Sequence, residues 1–334
     1  MPKSNSIALC FGIVLIALSA DAQTYTITDL GAFTGGTESE GFGVSPSGQV
    51  VGYSRTTNYD AHGFIWSERA GLRQLSSIPP QSDFGVAQAI NSKGVVAGWS
   101  DYNVLEASLA VIWQHGAPTI LGTLPGGTLS QAMGINDFDQ VAGFSDSGSS
   151  EPHAFLWSRS QCMRDLGTLP GGYYSQGLAI NGQGEVSGYS NAADGAWHAF
   201  LWTPTNGMQA LPNVAGASSA SGNGINDLGE VAGGSGSFAV LWTSTTSAEN
   251  MGVLPGQGWS TAFAVNDASQ AVGWSGFIAF VWSRATGIQD LNSLIPPNSG
   301  WFLSTANAIN NAGQITGQGT INGESHAFLL TPVR

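Results

Sequence analysis

Seven times the chain repeats one segment, and a fixed period of this size restricts the fold to architectures assembled from copies of a single unit. The clearest copy, residues 177–202, reads GLAINGQGEVSGYSNAADGAWHAFLW. Its anchor position falls at Ser45, Asn91, Asn136, Asn181, Asn226, Asn266 and Asn310, at successive spacings of 46, 45, 45, 45, 40 and 44 residues. Three residues past each anchor stand Gly48, Gly94, Asp139, Gly184, Gly229, Ser269 and Gly313. An Asn-x-x-Gly step between alternating runs is hairpin chemistry, because the Asn side chain bonds nearby backbone and Gly supplies positive φ. The asparagines are therefore expected to form turns.

After each turn comes an alternating strand with an invariant glycine: Gly52, Gly98, Gly143, Gly188, Gly233, Gly273 and Gly317. A strand glycine marks close approach by another backbone or a large side chain. The residue after it is often aromatic, as at Tyr53, Trp99, Phe144, Tyr189 and Trp274. A loop of variable length leads to a third, continuously apolar strand that ends in Trp66, Trp113, Trp157, Trp202, Trp242 or Trp282 in six copies. Strands of that kind are covered on both faces. A fourth strand follows in every copy but the last, which stops at Pro332-Val333-Arg334, whereas residues 24–31, TYTITDLG, match an isolated fourth strand. A closed ring uses that offset, since the first segment completes the last. The expected fold is all-β, a seven-bladed β-propeller of four-stranded blades closed by the N-terminal strand joining the last blade. A β-sandwich or parallel β-helix is the competing architecture.

The compound motif of His-Ala-Phe-Leu-Trp, then Asp-Leu-Gly-Thr-Leu-Pro-Gly-Gly, then apolar-Asn-x-x-Gly-x-Val-x-Gly resembles the HAF family of probable extracellular repeats of bacteria, over essentially the whole chain after residue 22. The resemblance implies export and a repeat architecture and carries no catalytic residues. His62, His153, His198 and His326 open the motif, while three copies lack the histidine. Equivalent positions in separate blades are held apart, so these histidines are expected to bond neighbouring turns rather than to converge on a metal.

Residues 1–22 read as a secretory signal peptide, with Lys3 before an apolar run from Ile7 to Leu18 and Ala20-Asp21-Ala22 as the cleavage site. The run is short for a membrane anchor. One propeller domain, residues 23–334, is then expected in the secreted or periplasmic compartment. Beyond the signal only Cys162 remains, so no intrachain disulfide can form; it occupies a turn position where other copies carry glycine. A net charge of −13 argues against nucleic acid and anionic lipid as partners. No membrane insertion is expected.

Variation concentrates in the loops between the second and third strands and between copies, which a four-stranded blade places on one face, and loops on a rigid scaffold carry function. Tyr59, Tyr102, Tyr173, Tyr174, Trp197, Trp259 and Trp301 are placed there to stack on sugar rings, with Asp60, Asp101 and Glu40 to bond hydroxyls or hold a cation. The expected function is non-catalytic binding of a glycan, a cell-surface component or an envelope protein. A secreted polysaccharide hydrolase or lyase is the first alternative; it needs convergent carboxylates, for which Glu38, Glu40, Asp60 and Asp101 are the densest supply. A structural or adhesive surface protein is the second. No catalytic residue, metal ligand or required cofactor is assigned, although Asp137-Phe138-Asp139 weakly resembles the start of a calcium loop.

Overall fold

The computed structural model describes residues 23–56, 60–78, 84–101, 108–148 and 151–333; Tyr59, Tyr102 and the expected signal segment lie outside the described residues. Among the described residues the regular structure is strand, apart from a 3-10 turn at Leu291–Ser293. Five antiparallel sheets of four sequential strands are built from residues 85–122, 130–165, 175–210, 220–252 and 260–290. The remaining strands form one eight-stranded sheet. In it, Glu324–Pro332 pairs along its length with Ile315–Ile321 on one side and with the N-terminal strand Tyr25–Gly31 on the other. Its link to Glu38–Val44 is a single parallel bridge, Glu38 to Ser325. Two four-strand groups thus merge where separate units were expected, because the Ser325 amide also reaches the Thr37 carbonyl at 3.2 Å.

The first strands of the groups, Glu38–Val44, Gly85–Ile90, Ser130–Ile135, Ser175–Ile180, Ala220–Ile225, Ser260–Val265 and Phe302–Ile309, touch one another in that order, and the last touches the first. They surround an axial channel. Each carries a β-bulge at the same place, leaving one residue unpaired: Phe42, Gln88, Met133, Leu178, Asn223, Phe263 or Asn307. A bulge re-aims a side chain, and here all seven line the channel. Two residues further on, Val44, Ile90, Ile135, Ile180, Ile225, Val265 and Ile309 form an aliphatic ring.

The invariant strand glycines are explained by contact. A Cβ at Gly188 would overlap the Gln176 carbonyl and stand 2.9 Å from the Phe200 ring. Phe155, Phe200, Phe280 and Phe328 are fully buried on these glycines' sheets, each stabilising the fold by roughly 2–3 kcal/mol. The core lies between neighbouring sheets: Phe155 and Trp157 pack on Ala110 and Ile112 of the preceding one.

Polar side chains join sheet to sheet. Each of Asn91, Asn136, Asn181, Asn226, Asn266 and Asn310 accepts two backbone N–H bonds within its own turn, as expected of a turn-former, and these anchors are 3–6% exposed. Their amides do something further. Each Nδ2 donates to the anchor carbonyl of the next copy, Asn91 to Asn136, Asn136 to Asn181, Asn181 to Asn226, Asn226 to Asn266, Asn266 to Asn310 and Asn310 to Ser45, at 2.8–3.2 Å. A serine repeats the pattern elsewhere. The Ser175 hydroxyl accepts from the Ala154 N–H of the preceding sheet at 2.8 Å, and Ser39 does the same for Ala327, across the junction inside the eight-stranded sheet.

The four motif histidines bond residues of their own four-strand group, in a neighbouring strand or turn. His153 lies 3.0 Å from Asp165, His326 lies 2.9 Å from Asp29, His198 lies 2.9 Å from Asp194, and His62 contacts Gln74 at 3.2 Å. Among the described residues no group of three His, Cys, Asp or Glu side chains could hold a metal ion. Asp137 and Asp139 are engaged in turn-to-turn links, accepting from the Ser92 N–H and the Asn91 amide.

Cys162 is exposed and has φ +55°, while Gly71, Gly207 and Gly287 at the equivalent turns have φ from +65° to +69°. A left-handed backbone is strained for any residue bearing a Cβ. Cys162→Gly is therefore expected to raise stability by about 0.5–1 kcal/mol, after discounting the entropy that glycine adds to the unfolded chain. A urea midpoint that falls would contradict this account of the turn.

Candidate functional site

Among the described residues, loops between second and third strands bond the loops between copies at several places, with the Gly148 N–H on the Pro125 carbonyl, Gly236 on Ser219 and Gly276 on Trp259. In the copy spanning residues 167–210 this contact builds a clamped aromatic pocket. Asn191, 3% exposed, accepts from the backbone N–H groups of both Tyr173 and Tyr174 at 2.9 Å. Its neighbour Ala193 donates to the Pro170 carbonyl at 3.0 Å. The Asp194 carboxylate takes the Ala196 N–H and pairs with His198, and those contacts hold its pKa below the ordinary value. The loop is thereby fixed on both flanks, and the strand Trp197–Thr203 begins with its indole over the pocket.

Three rings meet there. Trp197 stands edge-on to Tyr174, centroids 5.1 Å apart, and to Tyr189 at 5.6 Å; the two tyrosines stack at 6.1 Å. With Tyr173 and Glu151 they line a cavity of about 460 Å³. Tyr173 is 63% exposed and Trp197 37%, so apolar ring surface faces solvent. Burial, and then the adjoining Tyr174, push the Tyr189 phenol pKa upward.

Of the sequence-selected residues, Tyr173, Tyr174 and Trp197 come together in this pocket, joined by Tyr189 and Glu151, which were not selected. Tyr189 had a signal of its own: it is one of the aromatic residues that follow the strand glycine. Trp259 belongs to a second cluster, 4.3 Å from Trp274 and 5.5 Å from Phe277, whose side chain is 64% exposed. Trp301 packs edge-on against the buried Phe328 at 6.2 Å and joins the core beside it. Asp60 is exposed, with its carbonyl accepting from the Thr56 N–H, and Asp101 pairs with Ser108 across its sheet. Neither lines the aromatic pocket.

Glu38 and Glu40 converge on one phenol: the Tyr53 hydroxyl lies 2.8 Å from Glu38 and 3.4 Å from Glu40. Arg55 pairs with Glu38 at 3.0 Å. Asn307 donates to Glu40 at 2.9 Å. Burial raises the Glu40 pKa above the ordinary carboxylate value, against the lowering bonds from Asn307 and Tyr53.

No protein-family model matches the chain, and no curated protein matches its sequence. Solved structures do. Virginiamycin B lyase from Staphylococcus aureus is similar with a TM-score of 0.56 and 13% identity, over 93% of this chain and 100% of that one. The β-propeller domain of the Trilobed protease from Pyrococcus furiosus is similar at 0.52 and 7% identity, over 92% and 93%. The fold is a β-propeller. A gluconolactonase from Xanthomonas campestris is similar to the propeller at 0.50 and 11% identity, over 93% and 91%. Likeness at such identities extends to the fold alone.

Proposed function

We propose that this chain is an exported, non-catalytic HAF-repeat propeller of seven blades that binds carbohydrate of the cell surface through its loop face. The observation that carries the binding reading is the pocket of Tyr173, Tyr174, Tyr189 and Trp197. Flat apolar rings beside phenol hydroxyls and the Glu151 carboxylate match a sugar, which has an apolar ring face and a hydroxyl rim. Pre-organisation by Asn191 and Asp194 lowers the entropy lost on binding. Support for seven blades comes from the asparagine links, which run from copy to copy and return at Asn310 to Ser45. The Ser39 bond across the eight-stranded sheet matches the bond between separate sheets at Ser175, so that sheet divides naturally into two blades.

The hydrolase or lyase reading is favoured by Glu38 and Glu40 alone. Both carboxylates are held by partners that hold strands together, and this ranks the reading second.

A screen of the purified chain against glycans and envelope polysaccharides, followed by titration of the best ligand, tests the proposal. Trp197→Ala is expected to weaken binding about tenfold, the loss of one stacked ring worth roughly 1–1.5 kcal/mol. Undiminished affinity in Trp197→Ala and Tyr173→Ala, with both variants folded by circular dichroism, would remove the pocket from the account.

A further inference from the structure

We infer that the axial channel is a second binding site, separate from the loop-face pocket, and that it takes a small organic cation with an apolar tail. The channel comprises a cavity of about 590 Å³ and another of about 400 Å³, which meet at the aliphatic ring of Ile90, Ile180 and their counterparts. It shares no lining residue with the loop-face pocket.

Repetition makes the argument. Positions that serve the scaffold keep one residue type around the ring: small at Gly134 or Ala179, aliphatic at Ile135 or Ile180. The bulged position does not. It carries Phe, Gln, Met, Leu, Asn, Phe and Asn in turn, although the backbone device that aims it is the same in every copy. A fixed device presenting a variable side chain to one cavity is the arrangement expected of a specificity surface.

Charge then selects the ligand class. Among the described residues lining the two cavities, every ionisable group is acidic: Glu40 in the larger, and Asp137, Asp227 and Asp267 in the smaller. A low-dielectric channel with charges of one sign concentrates ions of the other. Glu40 lies 3.4 Å from the Tyr53 hydroxyl, and the Tyr53 ring stands 5.7 Å from Phe42 of the bulge ring, so apolar aromatic surface adjoins the carboxylate. From Glu40 to the aliphatic ring at Val44 is four residues of strand, roughly 13 Å less the bulge, so a head at Glu40 places a tail of moderate length against the ring.

The groups facing Glu40 set the pH response. Its own sheet offers Glu38 and Tyr53, with Arg55 behind Glu38, and the adjoining strand offers the neutral Asn307. A cation favours the ionised Glu40, so binding releases protons, and affinity strengthens as pH rises from the ordinary carboxylate range until Glu40 is ionised without the ligand.

Calorimetric titration of the purified chain with octylammonium, 1-octanol and octanoate provides the test. One octylammonium per chain is expected, at least about tenfold tighter than 1-octanol near neutral pH, with octanoate not binding. Glu40→Gln, which keeps an oxygen for Asn307, should remove most of that preference and change octanol affinity by less than about twofold. Leu178→Trp, which fills the bulge ring away from Glu40, should abolish both. Equal affinity for octylammonium and octanol in the wild-type chain overturns the inference without recourse to any variant. So does multiple weak binding that salt abolishes, or a preference that survives Glu40→Gln.

Discussion

Deleting residues 24–31 is expected to leave the chain without a cooperative unfolding transition, or with one moved to far lower urea. The strand Tyr25–Gly31 enters its sheet from the opposite end of the chain and pairs with Glu324–Pro332 over six registered positions, from Tyr25 with Pro332 to Gly31 with Ala327. It buries Tyr25 to 2% and Leu30 to 5% exposure, and the burial pushes the Tyr25 phenol pKa up to about 12. Burying two such side chains stabilises by roughly 3–6 kcal/mol. The deletion also removes Asp29 from His326 and the Gly31 carbonyl from the Ser39 hydroxyl. It leaves Glu324–Pro332 with an open edge, a template for aggregation. Natural domains have about 5–15 kcal/mol in total, so this one strand is a large part of what holds the propeller together. Equilibrium urea unfolding followed by tryptophan fluorescence, with size-exclusion chromatography, measures the effect. A truncated chain that elutes as a monomer and unfolds at the wild-type midpoint would show that the terminal strand is an accessory. Tyr25→Ala and Leu30→Ala should each reproduce part of the loss.

That strand was also the most legible feature of the sequence. TYTITDLG shares its Asp-Leu-Gly ending with the fourth strand that closes at Asp165-Leu166-Gly167, so its place as a fourth strand can be seen before any coordinate is known. Strand order, turn positions and the invariant glycines were legible for the same reason, since a local device recurring at a fixed period averages out accident. Gly188 is glycine because the Gln176 carbonyl occupies the space a Cβ would need, and that crowding is the same in all copies.

The aromatic pocket was half legible. Tyr173, Tyr174 and Trp197 lie on unrepeated loops, which set them apart from scaffold. Tyr189 sits at a repeated strand position, which hid its part in the same pocket, and Trp301 shares the loop chemistry of the others but turns to the core. Whether a loop aromatic faces solvent or packs inward depends on neighbours from another sheet, and period and composition do not encode those. The channel wall was least legible. A bulge adds one residue to a strand and breaks the alternation by which inward and outward positions are told apart, so nothing in the run from Glu40 to Val44 marks Phe42 as an axial residue.

The asparagine links show the same limit and give the second large effect. Asn310→Asp separates two roles that the sequence cannot distinguish. Aspartate forms these turns as well as asparagine does, and a carboxylate oxygen can still accept from the Ala312 and Gln314 N–H groups, now 3.0 and 2.9 Å from Asn310 Oδ1. If the anchor were a turn-former only, the substitution would be nearly neutral. The other oxygen, however, would replace the amide that donates to the Ser45 carbonyl at 2.8 Å and to Gln314 at 2.9 Å, setting acceptor against acceptor at a position 6% exposed. The lost bond, the unsatisfied carbonyl and the buried charge together are expected to cost about 2–4 kcal/mol. Protonation restores a donor, so the native state binds a proton more tightly than the unfolded chain does. The variant's deficit should therefore shrink as pH falls through the raised pKa of the new carboxyl. Ser45 sharpens the comparison, because it is the one anchor without an amide, and Asn310→Asp would leave two neighbouring links of the ring unmade. Chemical denaturation of wild type and variant at neutral pH and near pH 5 measures both parts; a variant equal to wild type at neutral pH would return the asparagines to the turns alone.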